Sequence, residues 1–457
     1  MPIQGFNFGE RPGEGSQIRR EENFVVLGYN QGQFIALKGI FLMQHLPRSL
    51  TVLRNRNITT LWLSQVFSAF GDRFHEIAIV WYSIQLIGSE AGFILAGGSI
   101  ARLVLGLFGG VFADRWERHR TLVVVDILRG AAVATLPLAA IFGQITLLHL
   151  AGVALVVGGL SALFEPALQA SLPGLAGDSQ NLQAANALMD VTSRLARVFA
   201  PGLAGLVILW IPLEQFFSID ALTFFVSALA IAALAAAFPR RPAAPAGQSY
   251  APRQIFAEIW GALRLVYANA PVFWGLIGMT VMSLAWSAAF TVGAALYAEQ
   301  VLHASVGAYG LIVAAYGVGN VISNLVVGRL EVRNRARFLF IGKIIVGLGF
   351  LVLSAVSSLP AAMACMAFAA TGGPMGDIMI LLMIQEDFPA DQIGKVYSTL
   401  MTLSSAGAAL GLTLAGPLFK LLDVHTGIAV CAALMLTTGV AGTIAFFHTR
   451  QPALAQG

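Results

Sequence analysis

The feature that most constrains this chain is a series of twelve apolar segments, each of about 20 residues, that runs from Ile58 to residue 448. A helix of that length crosses the hydrocarbon core of a bilayer, which is about 30 Å thick. Lipid offers no hydrogen-bond partner to the backbone, so segments this long and this rich in Leu and Ala are predicted to be helices rather than barrel strands.

Composition agrees with this interpretation. The chain is 57% hydrophobic and 11% charged, which is more apolar surface than a soluble protein of its size can bury. The sequence therefore predicts an all-α integral membrane protein. The expected spans are 58–87, 91–113, 120–143, 146–171, 188–211, 215–238, 272–300, 306–328, 338–358, 360–385, 394–421 and 425–448.

Lysine and arginine are concentrated in alternate loops between the predicted spans. The basic loops and tail contain Arg115, Arg118 and Arg120, then Arg240, Arg241 and Arg253, then Arg329, Arg333, Arg335 and Arg337, then Lys395, and finally Arg450. The opposite loops have neither residue, apart from Lys420 near a helix end. Because cytoplasmic loops carry such residues, both termini are predicted to be cytoplasmic in a multi-pass protein of the cytoplasmic membrane. The basic residues form no single patch, so no nucleic-acid partner is expected.

Composition also divides the chain into parts. Residues 1–55 are rich in Gly, Arg, Glu and Gln and are expected to be a cytoplasmic, poorly ordered extension. A Pro-rich linker at 239–271 separates an N-terminal lobe at 56–238 from a C-terminal lobe at 272–448, and a tail follows at 449–457. Apolar residues spaced three or four apart in the second part of the linker predict an amphipathic helix on the inner membrane face.

The two halves resemble each other. E-R-H-R at 117–120 is matched by N-R-A-R at 334–337, and L-A-G-L at 203–206 is matched by L-A-G-P at 414–417. Repeats at corresponding places indicate a two-lobed transporter whose site lies between the lobes, near the middle of the membrane.

A charged motif, G-x-x-x-D-R-x-x-R-x-R at 110–120, lies between spans 2 and 3. With twelve spans split six and six, it makes the sequence resemble the major facilitator superfamily. Within it, the stretches at 53–65, 123–129 and 184–188 are similar to the branch of macrolide efflux proteins and the enterobactin exporter. The resemblance implies two pseudo-symmetric six-helix bundles in a monomer. It also implies a secondary transporter that exports an amphipathic drug, macrolide-like compound or siderophore by alternating access, in exchange for protons.

The motif also has a physical interpretation of its own. Gly106, Gly109 and Gly110, at and just before its start, let span 2 approach another helix closely. Asp114 is placed to meet the N-terminal end of a facing helix at 394–398, where the helix dipole favours an anion. The resemblance implies that this contact closes the cytoplasmic side in the outward-facing state; the alternative is a solvated turn that only directs topology. The basic residues expected to hold the loop inside and join the gate are Arg115, Arg118 and Arg120.

Further gating residues are expected on spans 3 and 5, where opposite charges lie three or four residues apart and share a helix face. They are Asp126 with Arg129, expected to join Arg118 or Arg120, and Asp190 with Arg194. The alternative is that these are interfacial charges, whose apolar stems lie in the membrane while the charged ends reach water.

Span 5 contains A-R-V-F-A-P-G-L-A-G at 196–205, which resembles the antiporter motif of the superfamily. Pro201, Gly202 and Gly205 match that motif, whereas alanine stands at three positions where glycine is usual. The match indicates export rather than import. The alternative is an ordinary Pro-kinked packing helix.

Charges within spans are costly and therefore mark functional positions. Asp72 and Glu76 lie four residues apart on span 1 and share a face, and Arg102 on span 2 sits at comparable depth as their expected partner. A carboxylate beside an arginine in a cavity suits proton coupling, because protonation releases the arginine. The alternative is a permanent structural ion pair. Four more intramembrane charges have no partner that the sequence assigns, namely Glu165, Asp220, Lys343 and Asp377.

Aromatic residues on spans 1 and 7 suit a cavity for a bulky apolar ligand. The candidates are Phe70, Trp81 and Trp286, with aromatic packing toward lipid as the alternative. No phosphate-binding loop, nucleophile elbow or metal-spaced His/Cys cluster is present in the sequence, so neither an enzyme nor a cofactor or metal is expected. The expected partners are a small-molecule substrate, protons and membrane lipid. Uptake or symport of a metabolite or lysolipid, and a non-transporting sensor with the same fold, remain the alternative functions.

Overall fold

The computed structural model describes residues 51–115, 117–208, 210–238, 260–261 and 264–447 of the chain. The predicted extension up to residue 50, the linker stretch 239–259 and the tail from residue 448 lie outside the described residues. Twelve long helices follow one another within the described ranges. They are α1 (Arg56–Ile87), α2 (Ala91–Arg115), α3 (Arg118–Phe142), α4 (Leu147–Ala176), α5 (Ser179–Val207), α6 (Glu214–Ala233), α7 (Ala270–Val301), α8 (Val306–Val327), α9 (Arg335–Leu353), α10 (Leu359–Asp387), α11 (Ala390–Leu421) and α12 (Val424–Ala445).

Short polar side chains begin several of these helices. Asn55 accepts hydrogen bonds from two backbone N–H groups at the start of α1. Asp178 and Asn334 cap α5 and α9 in the same way, and Asp423 caps α12 by accepting from the N–H and the hydroxyl of Thr426. Such caps satisfy donors that the helix itself leaves unpaired. The hydrogen bonds from Thr426 hold the pKa of Asp423, in the loop before α12, below its ordinary value.

Two helices depart from regular α geometry along their length. α7 changes to π-helical turns at Ser287–Gly293 and Tyr297–Val301. α10 is interrupted between the segments Leu359–Ala370 and Gly373–Asp387. π turns are rare and frequently occur at functional sites, and the first one in α7 begins directly after Trp286.

Ten helical stretches of the described residues are long and apolar enough to cross a membrane by length and composition. One of them, Arg56–Gly106, contains α1 and most of α2, so these stretches account for all the predicted spans except α5. The first half of α5 is polar, with Asp190 and several amide side chains. The prediction of an all-α, multi-pass membrane protein is confirmed.

The helices pack as two halves with equivalent contacts. In the first half α1 packs on α5 and α6, α2 on α4, and α3 on α4 and α6. In the second half the corresponding pairs are α7 with α11 and α12, α8 with α10, and α9 with α10 and α12. Between the halves α2 packs on α11 and α5 packs on α8, which are again equivalent pairs. The predicted arrangement of two pseudo-symmetric six-helix bundles is thereby confirmed.

A matched pair of glycines shows how close this equivalence is. When E-R-H-R and N-R-A-R are aligned, Gly130 of α3 corresponds to Gly347 of α9. A Cβ on Gly130 would lie 3.2 Å from the carbonyl oxygen of Ala221 in α6, and one on Gly347 would lie 3.1 Å from that of Ala432 in α12. Both glycines therefore allow the same close approach of backbones, which is how helices associate in lipid.

Candidate transport site

A cluster of charged side chains lies inside the first half, where α1 meets α3. Nη1 of Arg129 is 3.4 Å from Oδ1 of Asp126, one turn earlier on α3, and Nη2 is 3.5 Å from Oδ1 of Asp72 on α1. The side chains of Arg129 and Asp126 are 8% and 1% exposed, whereas that of Asp72 is 38% exposed. One guanidinium therefore bridges two carboxylates, only one of which is accessible.

Aromatic rings hold the guanidinium in place. The Cζ atom of Arg129 lies 4.1 Å from the ring centroid of Phe224 and 5.5 Å from that of Phe164. A cation over an aromatic face is attracted by the ring quadrupole, and more strongly where water is excluded. Arginine suits this position because its planar head can stack and donate to two carboxylates at once.

A second buried pair adjoins this cluster. Nδ1 of His75 on α1 lies 3.1 Å from Oδ2 of Asp220 on α6, and the two side chains are 9% and 1% exposed. The approach is not aligned for a hydrogen bond, so within the described part of the chain both carboxylate oxygens of Asp220 lack one. Gly71 makes the pairing possible, because a Cβ there would lie 2.9 Å from Oδ1 of Asp220 and 2.4 Å from Oγ1 of Thr223. Asp220 has no partner that can be assigned from the sequence, because His75 comes close to it only where α1 crosses α6.

The expected pairing of Arg102 with Asp72 or Glu76 is wrong. Arg102 lies 2.9 Å from Glu165 of α4, with side chains 54% and 69% exposed. Glu76 is paired instead with Arg73, at 2.5 Å along α1. The physical reason is the helix order, since α2 packs on α4 while α1 packs on α5 and α6.

Exposed charges near the middle of these helices indicate water. The side chain of Glu76 is 56% exposed, and Asp377 on α10 is exposed as well. Ionised groups at membrane depth face a protein interior or a water-filled cavity rather than lipid. Glu76, Asp377 and the Arg102–Glu165 pair are therefore expected to face water or the protein interior rather than lipid.

The expected junction of Arg129 with Arg118 or Arg120 is also wrong. Arg118 donates to the carbonyl oxygen of Ala170, and Arg120 lies 2.8 Å from Glu117 in its own turn. Arg129 is more than two helical turns further along α3 and reaches α1 instead. The roles predicted for several other gate residues rest on side chains that lie outside the described residues, namely those of Gly110, Asp114, Arg115 and Arg194.

Asp190 of the predicted gate is exposed on α5. Of the antiporter-motif residues on the same helix, Pro201 and Gly202 have side-chain positions outside the described set. Gly205 is described, and it lies between the halves: a Cβ on it would be 3.2 Å from the carbonyl oxygen of Gly307 in α8.

The second half contributes an aromatic group. Trp286 of α7 stacks on Phe290 with ring centroids 4.5 Å apart, and Phe290 lies 4.6 Å from Tyr316 of α8. The indole Nε1 of Trp286 donates to Oη of Tyr316 at 3.0 Å. All three side chains are half-buried. Phe70 of α1 is also half-buried and packs against the core of the first half.

The halves make several close contacts at one end of the bundle, which we call the sealed end and which carries the α1–α2, α5–α6, α7–α8 and α11–α12 loops. A Cβ on Gly92 of α2 would lie 2.2 Å from the carbonyl oxygen of Leu412 in α11. Nζ of Lys420 lies 2.5 Å from Oε1 of Glu90. Trp81, expected in the central cavity, lies toward this end, 5% exposed, with its ring 6.1 Å from that of Tyr309 in α8.

Helix α11 is exposed toward the other end, here called the open end. A Cβ on Gly394 of α11 would have no atom within 4 Å. Tyr397 and Met401 of α11 are 43% and 50% exposed. The close contact between α2 and α11 thus belongs to the sealed end.

The chain is similar in sequence to known membrane transporters. Residues 48–454 match the family described as transmembrane secretion effector. The chain is 26% identical over 398 residues to multidrug efflux pump Tap of Mycolicibacterium fortuitum, covering 83% of this chain and 92% of that protein. It is 25% identical over 348 residues to enterobactin exporter EntS of Salmonella typhimurium, covering 75% and 79%. It is also 23% identical over 394 residues to the uncharacterised MFS-type transporter YfiS of Bacillus subtilis, covering 84% and 92%.

Solved structures share the fold. An auto-inhibited peptide transporter of the POT family matches with a TM-score of 0.68 at 13% identity, covering 88% of this chain and 99% of that one. An inward-facing, unoccupied bacterial homologue of the lysosomal transporter Spinster matches with a TM-score of 0.62 at 13% identity, covering 89% and 99%.

Proposed function

We propose that this chain exports amphipathic small molecules across the cytoplasmic membrane in exchange for protons. The chain belongs to the transmembrane secretion effector family of the major facilitator superfamily. Its family and relatives make it a multi-pass membrane transporter of small molecules and not an enzyme. Tap is a multidrug efflux pump and EntS exports the siderophore enterobactin, and drugs and siderophores are the substrate classes that we propose for this chain.

The observation that supports proton coupling is the charge balance around Arg129. With every group ionised, Asp72 and Asp126 bring two negative charges against one positive charge, and the cluster is largely buried. An uncompensated buried charge costs several kcal/mol, so one proton shared between the carboxylates restores neutrality. Asp72 exchanges that proton because its side chain reaches water, while Asp126 does not.

Proton uptake then controls the α1–α3 contact. Protonation of Asp72 removes one of the two charges that hold Arg129, which leaves the guanidinium to Asp126 and frees α1 to move. Loss of the proton restores the bridge. Such a two-state contact links proton movement to movement of the helices that line the cavity.

The distribution of basic loops supports a direction for the cycle. The sealed end carries loops with Lys420 alone near it, and the open end carries the arginine-rich loops. By the positive-inside rule the open end is cytoplasmic, as are both termini. Substrate therefore loads from the cytoplasm against the aromatic group of Trp286, Phe290 and Tyr316, and alternating access releases it outside.

Transport into inside-out vesicles tests this proposal. A panel that includes a macrolide and a catecholate siderophore is offered to vesicles with an acid interior, and accumulation is measured. We expect gradient-driven accumulation in the wild type. We expect Asp72→Asn to abolish that accumulation while downhill exchange continues, because a permanently neutral residue 72 leaves the helices free to move without a proton.

Glu331→Gln is the matched control, since it neutralises an exposed carboxylate in the α8–α9 loop. It should accumulate substrate like the wild type. Full accumulation by the Asp72→Asn, Asp126→Asn double variant would exclude this proton site. In whole cells, raised rather than lowered substrate content would indicate uptake, and no change across the panel would indicate a sensor.

A further inference from the structure

A cavity of 580 Å³ lies at the sealed end, apart from the cluster around Arg129. We call it the vestibule. Its walls come from the last turns of α1, the start of α6, the end of α7 and the α7–α8 loop. Its volume falls within the roughly 300–1,000 Å³ typical of small-molecule sites.

The chemistry of the walls is aromatic and anionic. Trp81 and Tyr82 of α1 line the vestibule together with Glu214 of α6 and Glu299 of α7. Tyr82 donates a hydrogen bond from Oη to Oε1 of Glu214, which fixes that carboxylate. Among the described residues that line the vestibule there is no lysine or arginine, and His303 is the basic side chain. Aromatic faces with nearby carboxylates are the groups that bind organic ammonium ions.

Trp81 supplies an independent sign of a ligand. Its side chain is 5% exposed and its ring is fixed against Tyr309. Yet its indole N–H has no hydrogen-bond partner in the described part of the protein, and the nitrogen is not among the fully enclosed unpartnered atoms. An unpaired donor on the wall of a cavity is therefore available to an acceptor group of a ligand.

The α7–α8 loop adds a second unusual feature at the rim. His303 has a φ of 46°, the one non-glycine residue with a positive φ among the residues that the structure describes. Such conformations cost free energy and recur at ligand sites. The loop therefore holds the imidazole beside the vestibule at some cost in backbone energy.

We infer that the vestibule is a second binding site, for an organic ammonium ion that carries a hydrogen-bond acceptor such as an ester carbonyl. The ammonium lies between Glu299 and the aromatic rings, and the acceptor receives the indole N–H of Trp81. A metal ion fits less well, because the described residues contain no group of three or more metal-ligating side chains. The role of the vestibule as an exit site for the substrate rests on the export function proposed above. Its ability to bind an organic ammonium ion does not depend on that function.

Equilibrium dialysis of the purified full-length protein in detergent tests the inference. The probes are benzoylcholine, which has the ammonium and the ester, and 3,3-dimethylbutyl benzoate, its neutral carbon isostere. We expect benzoylcholine to bind and its isostere to bind at least about tenfold more weakly. Glu299→Gln should weaken benzoylcholine binding about tenfold. Trp81→Phe keeps an aromatic ring but removes the N–H donor, and it should weaken binding several-fold through the loss of one hydrogen bond.

Glu331→Gln again serves as the control and should bind benzoylcholine like the wild type. Equal binding of the two probes, or unchanged affinity in both Glu299→Gln and Trp81→Phe, would overturn the inference. The outcome is separate from the transport test: normal benzoylcholine binding with failed proton-driven export refutes only the coupling proposal, whereas failed binding with intact export refutes only the vestibule.

Discussion

The contact between α2 and α11 at the sealed end offers the sharpest test of alternating access. A Cβ on Gly92 would lie 2.2 Å from the carbonyl oxygen of Leu412 and 3.3 Å from Cβ of Ala415. The first of these is a backbone atom, which cannot swing aside. Restoring an ordinary carbon–oxygen contact of about 3.3 Å requires the two helices to separate by about 1 Å.

Overpacking of this kind costs about 1–3 kcal/mol. In the proposed alternating-access cycle, α2 and α11 separate at this end in the other state. The cost of Gly92→Ala then falls only on the conformation in which the sealed end is closed. A difference of about 1–3 kcal/mol changes an equilibrium about 5- to 150-fold. Gly92→Ala should therefore shift the protein by that factor toward the state in which this end opens.

A cysteine placed at Gly307 reports the change, because a side chain there meets its nearest neighbours at ordinary distances, 3.4 Å from Oγ of Ser305 and 3.5 Å from the carbonyl oxygen of Gly205. The position is buried at the equivalent contact between α5 and α8. The two native cysteines, Cys365 and Cys431, are replaced by alanine. The rate of labelling by a membrane-impermeant maleimide then measures how often the sealed end opens.

We expect Gly92→Ala to raise that rate at least about fivefold. Gly97→Ala on the same helix is the control, since its Cβ would meet only the side chain of Leu155, inside the first half, at an ordinary 3.5 Å or more. Equal labelling rates in the two folded variants would refute the reasoning, because the closed contact would then not govern access.

Two further predictions concern packing and charge. Gly71→Ala should lower the stability of the protein by about 1–3 kcal/mol, because the new Cβ would collide with the buried Asp220 carboxylate. Gly152→Ala, which meets no atom within 4 Å, should raise it by about 0.5–1 kcal/mol through helix propensity; thermal unfolding in detergent measures both, and the opposite order would contradict the packing argument. Reversal of either charge in the Glu90–Lys420 pair should raise maleimide labelling by less than about fivefold, since exposed pairs contribute about 0–1 kcal/mol. Exchange of both residues should restore the slow rate at low salt, and failure of that rescue would show that the pair does not hold the sealed end.

The sequence was sufficient to predict the twelve helices and their division into halves, because span length and hydropathy depend on local composition alone. It also located Asp72 as a charged residue at the centre of α1. It did not identify the right arginine, since Arg102 and Arg129 are both intramembrane cations and the choice depends on which helices cross α1. That α3 brings Arg129 close to Asp72 follows from packing, which no local pattern in α1 encodes.

Trp81 shows the same limit for the aromatic residues. The sequence predicts Trp81 as a residue of the central cavity, but its depth along α1 decides its neighbours. The residue lies toward the sealed end against Tyr309 rather than beside Trp286. The aromatic group of Trp286, Phe290 and Tyr316 could be foreseen only for its α7 members, because Tyr316 comes from α8.

The internal repeat distinguishes the packing that both halves share from the charge cluster that only one of them has. The alignment that equates Gly130 with Gly347 also equates Asp126 with Lys343. The glycines serve the same packing in both halves, whereas the charges are opposite: Asp126 contacts Arg129, and Nζ of Lys343 lies 3.3 Å from Sδ of Met279. The two halves therefore share their helix packing and not their charges. Two carboxylates around one arginine occur only in the first half among the described residues. The proposed proton chemistry therefore needs only one half, whereas the proposed alternating access involves the contacts that both halves share.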